Sequence, residues 1–324
     1  MTSEPSQPPE SRSAPWIGVD IGGTKVLAGE IDDAGRLVRT ASRPTPGARV
    51  PLAEVEAALD AAVAEVAQGR TPAGVGVAVA GLVDPDGERV MFAPHLPWAG
   101  EPVRARLEER WGVPVAVDND ANCAARGEAR FGAARGRSSA LLVALGTGIG
   151  GAYVLDGRVL RGAGGMAGEF GHMSYSVGGR ACPCGLRGCW EQYCSGRALV
   201  RAAREHLPAP ESLLHRWTGG RPSRLDGPMI TDAAQRDDAV ALAAYRDIGV
   251  ALGRGVASLV AALDPEVVVI GGGVSVAGEP LLAPARQALA THLVGASHRT
   301  LPPLLPATLG NAAGIVGAAL LLRD

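Results

Sequence analysis

The chain has 324 residues, of which 47% are hydrophobic and 20% are charged, as is typical of a soluble globular protein with one large or two medium domains. Its formal net charge of -2 does not favour binding to nucleic acid or to an anionic membrane surface. Arg246, Asp247 and Arg254 interrupt the longest apolar stretch, so no membrane span is predicted. Residues 1–14 are polar, rich in Ser and Pro, and lack the apolar core of a signal peptide. They predict a disordered tail on a cytoplasmic protein.

The first half of the chain begins with a strand, a glycine turn and a returning strand. Residues 16–21 and 26–31 have the apolar character of buried strands, and Gly22-Gly23-Thr24-Lys25 connects them. The pattern then predicts a strand over 36–38, helices over 52–66, 103–111 and 121–131, and strands over 75–80 and 113–117. Asp118, Asn119 and Asp120 follow the last strand, and Asn119 or Asp120 is expected to cap the next helix.

A second unit of the same kind follows about 125 residues later. It comprises predicted strands over 139–145, 152–155 and 158–160, with the glycine turn 146–151 after the first. Beyond it we predict a long helix over 239–263 that ends before Pro265, a buried strand over 266–270, and a small-residue helix over 311–322. The repeat indicates two related α/β halves with a ligand cleft between them. We expect a small domain over 15–118, a large domain over 119–310, and a C-terminal helix over 311–324 that packs back on the small domain.

The two glycine turns are candidate phosphate sites. Gly146 to Gly151 fits the spacing of a dinucleotide fingerprint, but that fingerprint opens a helix and here a strand follows. Each turn instead offers backbone N–H groups and a Thr hydroxyl, from Gly22, Gly23 and Thr24 and from Gly146, Thr147 and Gly148. A plain β-turn is the alternative for either one alone. Asp20 either positions Mg²⁺ through water or caps the turn, and Lys25 either neutralises phosphate charge or is solvated.

A cysteine-rich loop over 169–195 is the candidate metal centre. His172, Cys182, Cys184 and Cys189 supply one imidazole and three thiolates, which suit one tetrahedral Zn²⁺. Four protein ligands close the coordination shell, so the zinc is expected to be structural, and a zinc hydrolase is disfavoured. Free or oxidised thiols are the alternative. Glu169 and Glu191 flank the ligands and are positioned to meet a polar substrate.

Asp120 is the candidate general base. Transfer of a phosphoryl group to an alcohol needs a carboxylate that accepts the hydroxyl proton. Asp120 follows a predicted strand at the presumed cleft, and its neighbour Asn119 adds an amide that suits a polyol. Capping of the following helix is the alternative role for Asp120.

Several motifs together resemble the ROK family of repressors, open reading frames and sugar kinases, and the likeness covers nearly everything after Pro15. The cysteine-rich segment is its most specific part, and within the family the chain is most similar to ATP-dependent glucokinases of the actinobacterial type. The motifs are Asp20 to Lys25, Asn119-Asp120, Gly146 to Gly151, Glu169 to His172, Cys182 to Glu191, Ser195 to Leu199, Val269 to Val274 and Leu309 to Gly314.

The resemblance implies an actin-like ATPase fold with two ribonuclease-H-like halves. It implies a kinase that uses ATP with Mg²⁺ and phosphorylates the 6-hydroxyl of glucose, with Asp120 as the base. Other sugar hydroxyls would bind to Asn119, Glu169, His172 and Glu191, with His172 touching both zinc and sugar. We add Gly81 to the predicted sugar-binding residues, and the resemblance puts Gly271, Gly272 and Gly273 near the adenosine.

The resemblance also leaves alternatives. His95 stands where the family commonly has Asn, and either it contacts the sugar and alters affinity or preference, or it is a surface loop residue. Another hexose or an N-acetylhexosamine is therefore an alternative substrate. Polyphosphate is an alternative donor. A homodimer or homotetramer is usual in the family. A sugar-sensing regulator would need a DNA-binding module, and only about fifteen residues precede the first strand.

Overall fold

A computed structural model of the chain describes residues 14–207 and 209–323. The tail predicted over 1–14 lies outside these ranges apart from Ala14. Among the described residues, no helix combines the length and the apolar character that a membrane crossing requires.

The first half of the chain forms one five-stranded sheet and three helices. Its elements are β1 (Trp16–Ile21), β2 (Lys25–Ile31), β3 (Leu37–Pro44), α1 (Leu52–Ala67), β4 (Gly74–Val79), β5 (Leu82–Val83), β6 (Val90–Phe92), α2 (Val103–Trp111), β7 (Val115–Asn119) and α3 (Asp120–Phe131). The sheet order is β3-β2-β1-β4-β7. The first three strands are antiparallel neighbours, whereas β4 and β7 run parallel to β1. β5 and β6 pair separately.

The second half repeats this arrangement. Its elements are β8 (Ser139–Leu145), β9 (Ile149–Leu155), β10 (Arg158–Val159), α4 (Gly196–His206), α5 (Leu213–Thr218), α6 (Gly227–Gln235), α7 (Ala239–Leu263), β11 (Val267–Gly271), α8 (Glu279–His292), β12 (Leu304–Pro306) and α9 (Ala313–Ala319). The sheet order β10-β9-β8-β11-β12 matches the first sheet position by position. Its last two strands are again parallel to the first. The predicted duplication is therefore confirmed.

Several predicted boundaries differ from the observed ones. β7 begins after Pro114, which has no N–H to give to the ladder, and runs on to Asn119. The C-terminal helix is α9 with a 3-10 turn at each end rather than one helix over 311–322. The second glycine turn is shorter than predicted, because β9 already begins at Ile149. The division of the chain into domains at 118/119 stays a prediction, and β7 crosses this position.

α9 and α3 lie between the two sheets. α9 packs on β1 and β4, α3 packs on β8 and β9, and the two helices pack on each other. Glycines permit this close approach: a Cβ on Gly76 would lie 1.8 Å from the carbonyl oxygen of Ala318, and one on Gly317 would lie 1.6 Å from that of Cys123. The carboxyl ends of β1 and β7 and the start of α3 are therefore held in one rigid layer.

We expect Gly317→Ala to lower the stability of the protein by about 2 kcal/mol or more, although alanine is the better helix former. The added methyl group would collide with the backbone of α3. Gly227→Ala, at the start of α6, is the matched control, because a Cβ there meets no atom within 4 Å. Urea or thermal unfolding measures both, and equal stability of the two variants would contradict the packing of α9 on α3.

Candidate active site

Two glycine hairpins occupy equivalent places in the two sheets. Residues 22–24 join β1 to β2, and the Gly22 N–H donates to the Lys25 carbonyl at 3.0 Å. Residues 146–148 join β8 to β9, and the Gly146 N–H donates to the Gly148 carbonyl at 3.0 Å. Gly23, Thr24, Gly146 and Thr147 are exposed at the tips, as is Lys25 at the start of β2. Exposed turns of this kind leave N–H groups free for an anion.

His95 lies against the first hairpin. A Cβ on Gly23 would lie 2.8 Å from His95 Cδ2, so the imidazole covers the glycine backbone. The side chain is otherwise exposed to solvent. The position at which this sequence departs from the family pattern is therefore next to a candidate phosphate site.

Asn119 is the residue that caps α3. Its Oδ1 accepts from the N–H groups of Ala121 at 2.9 Å and Asn122 at 3.1 Å. Its Nδ2 donates to the carbonyl of Gly81 at 3.0 Å, which ties the helix start to the end of β4. The open choice between Asn119 and Asp120 as N-cap is thereby resolved. The carboxylate of Asp120 accepts from the Ala121 N–H at 2.9 Å and lies on the cleft side, near Asp20 and Glu169.

Asp118, two residues before Asp120, is buried. Its Oδ1 accepts from Asn122 Nδ2 at 2.9 Å and lies 3.3 Å from a guanidinium nitrogen of Arg161. Arg161 also donates to the carbonyls of Pro85 at 3.0 Å and Asp84 at 3.1 Å. Arg161 therefore joins the segment after β10 to the loop after β5 and to the end of β7.

Two carboxyl groups meet in the cleft with raised pKa values. Burial, together with the nearby charges of Asp20 and Glu169, raises the pKa of Asp120 to about 7. Burial also raises the pKa of Asp20 to about 6, against the opposing effect of Lys25. A Cβ on Gly314 would lie 2.7 Å from Asp20 Oδ2, so the start of α9 closes over this carboxyl group.

The structure brings the four predicted metal ligands together. The ligand atoms of His172, Cys182, Cys184 and Cys189 all lie within 4.8 Å of one another. His172 Nδ1 lies 3.7 Å from Cys182 Sγ, and the sulfurs of Cys184 and Cys189 are 3.6 Å apart. Tetrahedral Zn–S bonds of about 2.3 Å place two sulfurs about 3.8 Å apart, so the group fits a zinc ion.

The acids beside this cluster form one wall of the cleft. His172 turns Nε2 away from the cysteines, and this atom lies 3.9 Å from Glu169 Oε2. That distance is too long for a hydrogen bond and leaves both atoms available to a third group. Burial raises the pKa of Glu169, and the charge of Glu191 adds to the effect. Glu191 lies against the second hairpin, since a Cβ on Gly148 would lie 2.2 Å from its Oε2.

A second part of the site is a cleft of about 920 Å³ next to the second hairpin. Gly146, Thr147 and Gly273 line it, as predicted for a nucleotide. Gly271 is instead buried at the end of β11. Gly272 has a φ of 81°, and a Cβ there would lie 2.4 Å from the Leu145 carbonyl oxygen, so it shapes the turn.

Sequence reasoning missed several residues of this site. Arg197 and Val200 of α4, and Pro228, Thr231 and Gln235 of α6, also line the cleft. The start of α6 had a readable signal, because Asp226 caps it and Pro228 stands in its first turn. Nothing local marks Arg161, whose partners lie about 40 to 80 residues away.

We expect Asp120→Asn to stabilise the ligand-free protein more at pH 8 than at pH 5. The native pKa of about 7 exceeds the ordinary aspartate value of 3.8, so the native state holds the proton more tightly than the unfolded chain does. The contribution of the protonated Asp120 carboxyl group to stability is fully present below about pH 4 and is lost as the pH rises through about 7. Allowing for solvent on the open side, we expect a difference on the order of 2 kcal/mol. Unfolding at the two pH values measures it, with Asp86→Asn, an equal charge change on an exposed loop, as control. An equal gain at both pH values would contradict the buried charge.

Comparison with known proteins agrees with this geometry. The sequence pattern of the ROK family matches residues 16–324. The glucokinase of Streptomyces coelicolor is 42% identical over 311 residues, which are 95% of this chain and 97% of that protein. The glucokinase of Thermotoga maritima is 34% identical over 309 residues, again 95% of this chain and 97% of the relative. A ROK family glucokinase from Streptomyces griseus, solved in complex with glucose and AMPPNP, superposes with a TM-score of 0.87 and 42% identity over 96% of this chain and 99% of that one. The chain therefore belongs to the ROK family and has its mixed α/β, actin-like ATPase fold.

Proposed function

We propose that the protein is an ATP-dependent glucokinase that transfers the γ-phosphoryl group of ATP to the 6-hydroxyl of glucose, giving glucose 6-phosphate and ADP. The observation that carries the proposal is the state of Asp120. Asn119 takes over the capping of α3, and the Asp120 carboxyl group faces the cleft with a pKa near 7. The family membership and the glucokinases that cover almost the whole chain support the choice of substrate and donor.

Asp120 is the general base in this proposal. A base with a pKa close to the working pH combines adequate deprotonation with a real affinity for the proton it removes. Burial supplies that pKa here, and the charge of Asp20 adds to it. The base accepts the proton of the sugar hydroxyl as this oxygen attacks the γ-phosphorus.

The two hairpins orient the donor. The N–H groups of residues 23–24 and 147–148 bind phosphate oxygens, because those of Gly22 and Gly146 are used within the hairpins, and Lys25 adds a positive charge beside the first hairpin. The adenosine lies in the cleft lined by Thr147 and Gly273. Magnesium bound with ATP supplies charge neutralisation for the phosphates, and Asp20 would hold it through water.

The sugar binds between α3 and the cysteine-rich loop. Glu169, His172 Nε2 and Glu191 offer acceptors and donors to its hydroxyls, and Asn119 Nδ2 has a second N–H besides the one that it donates to Gly81. Gly81 acts through Asn119, whose amide its carbonyl already accepts. A site built from several such groups rejects a sugar in which one hydroxyl is inverted, because buried polar atoms lose their partners.

The zinc is structural in this proposal. Three thiolates and Nδ1 of His172 would hold it, which leaves Nε2 of the same ring for the sugar. The metal stabilises the loop and fixes the ring orientation. A homodimer or homotetramer, a cytoplasmic location and a domain boundary near 118/119 remain predictions.

A coupled assay across sugars and donors tests the function. We expect glucose with ATP to be the preferred pair over mannose, N-acetylmannosamine, fructose and allose, and over polyphosphate as donor. Asp120→Asn should lower turnover by at least about 10²-fold, because the base is lost, and should leave glucose affinity within a few-fold. Comparable rates with several sugars would refute the narrow specificity, and a fully active Asp120→Asn variant would refute the base.

Loss of the metal should damage sugar binding and stability together. We expect Cys184→Ser to lower the zinc content and the melting temperature, and to raise the KM for glucose roughly tenfold with a much smaller change for ATP. Cys194→Ala is the control, because this buried cysteine lies outside the cluster and should affect stability alone. Metal analysis, thermal unfolding and the two KM values give the result. A wild-type protein that binds no zinc would overturn the assignment.

A further inference from the structure

A second cleft lies behind the cysteine-rich loop and has no role in the reaction described above. It has a volume of about 380 Å³ and is bounded by α4, α7 and residues 175–193. Its lining includes four arginines, Arg180, Arg201, Arg246 and Arg254. Only two carboxylates, Glu205 and Asp247, lie among them.

Both carboxylates already have partners. Glu205 lies 3.4 Å from a guanidinium nitrogen of Arg180, and Asp247 lies 2.8 Å from Nε2 of His206. Within residues 14–207 and 209–323, no carboxylate lies at ion-pair distance from Arg201, Arg246 or Arg254. The cleft therefore carries an excess of positive charge in a chain whose net charge is -2.

The arginines are held in place by other contacts. The Arg254 guanidinium lies 5.1 Å above the ring of Tyr175, and Arg201 donates to the carbonyl oxygen of Gln192. Burial lowers the pKa of Arg201, and the charge of Arg180 lowers it further. A guanidinium group that is partly desolvated and close to another positive charge is stabilised strongly by an anionic partner. Ala198, Ile248 and Ala251 give the cleft an apolar floor.

We propose that this cleft binds a small phosphate-bearing anion. Guanidinium groups pair with phosphate oxygens in two-pronged geometry, and the volume suits a phosphate or a short organophosphate. The concave shape and the apolar floor fit a compact ligand with a non-ionic part. The site is separate from the cleft next to the second hairpin, although Arg201 of α4 lines both.

An anion bound in this cleft would affect the position of Glu191, one of the acids proposed to bind the sugar. Arg201 holds the backbone of Gln192, and Gln192 Nε2 donates to Glu191 Oε1 at 3.1 Å. An anion that draws Arg201 toward itself changes the support of Glu191. With Glu191 in the sugar site proposed above, anion binding in this cleft is coupled to glucose affinity through Arg201, Gln192 and Glu191. By linkage, glucose changes the affinity for the anion by the same factor.

Calorimetric titration with inorganic phosphate and with glycerol 3-phosphate tests the proposal. The double variant Arg246→Ala/Arg254→Ala should bind at least about tenfold more weakly than the wild type. The control Arg135→Ala/Arg137→Ala removes the same charge from an exposed loop away from the cleft and should bind normally. Binding of phosphate at the hairpins is common to all three proteins and cancels in the comparison.

The two probes separate the sources of the phosphate. Tighter binding of glycerol 3-phosphate identifies an organophosphate site, and equal binding identifies a site for the phosphate group alone. Equal affinity of the double variant and the wild type would overturn the proposal. If the double variant with equal affinity also has a smaller mass in light scattering, the cleft is a subunit interface, which likewise overturns the proposal. Glucose phosphorylation is measured separately, so failure here does not depend on the proposed function.

Discussion

The hydrogen bonds of Asn119 are the constraint on which the site depends. One amide side chain caps α3 through Ala121 and Asn122 and holds the end of β4 through Gly81. The neighbouring carboxylate is consequently not needed for capping. Asp118 is buried and bonded to Asn122, whereas Asp120, the first residue of α3, lies near Asp20 and Glu169. Replacing Asn119 by Asp would still cap the helix but would lose the donor to Gly81 and add a third charge beside two carboxyl groups.

Burial of the two carboxyl groups at the active site lowers the stability of the protein at neutral pH. Burial disfavours the charged forms of Asp20 and Asp120, and the charge of Asp20 adds to the effect on Asp120. Two buried carboxyl groups keep raised pKa values only where the surrounding protein is too rigid to rearrange around them. The glycine-mediated contacts of α9 with α3 and β4 provide that rigidity, since the helices approach to backbone distance and cannot shift without collision. The packing of α9 therefore helps to maintain the raised pKa of Asp120.

Much of the framework was readable from the sequence, because it rests on local signals. The first hairpin, α7 and the cysteine spacing are each set by residues close in the chain, and the predicted α7 range 239–263 is the observed one. The remainder depends on distant partners. The choice of Asn119 over Asp120 as cap is decided by the Gly81 carbonyl, 38 residues away. The role of Arg161 depends on carbonyls of another segment. The helices α4 to α6 and α8 went unpredicted, although Asp226 and Pro228 mark the start of α6.

Glu191 joins the second glycine hairpin to the cysteine-rich loop. It lies against Gly148 of the second hairpin, it accepts from Gln192, and the Cys182 thiol is 3.3 Å from its Oε1. A metal held by the cluster would require Cys182 as a thiolate, which cannot donate to the carboxylate. Oε1 would then keep the Gln192 N–H and lose the thiol donor, which would leave it able to accept from a sugar hydroxyl, while Oε2 stays at the hairpin. Metal binding would therefore prepare Glu191 for the sugar by removing the hydrogen bond from the Cys182 thiol. This effect is distinct from stabilising the loop. The same residue would transmit to the donor hairpin any movement that sugar binding causes in the loop.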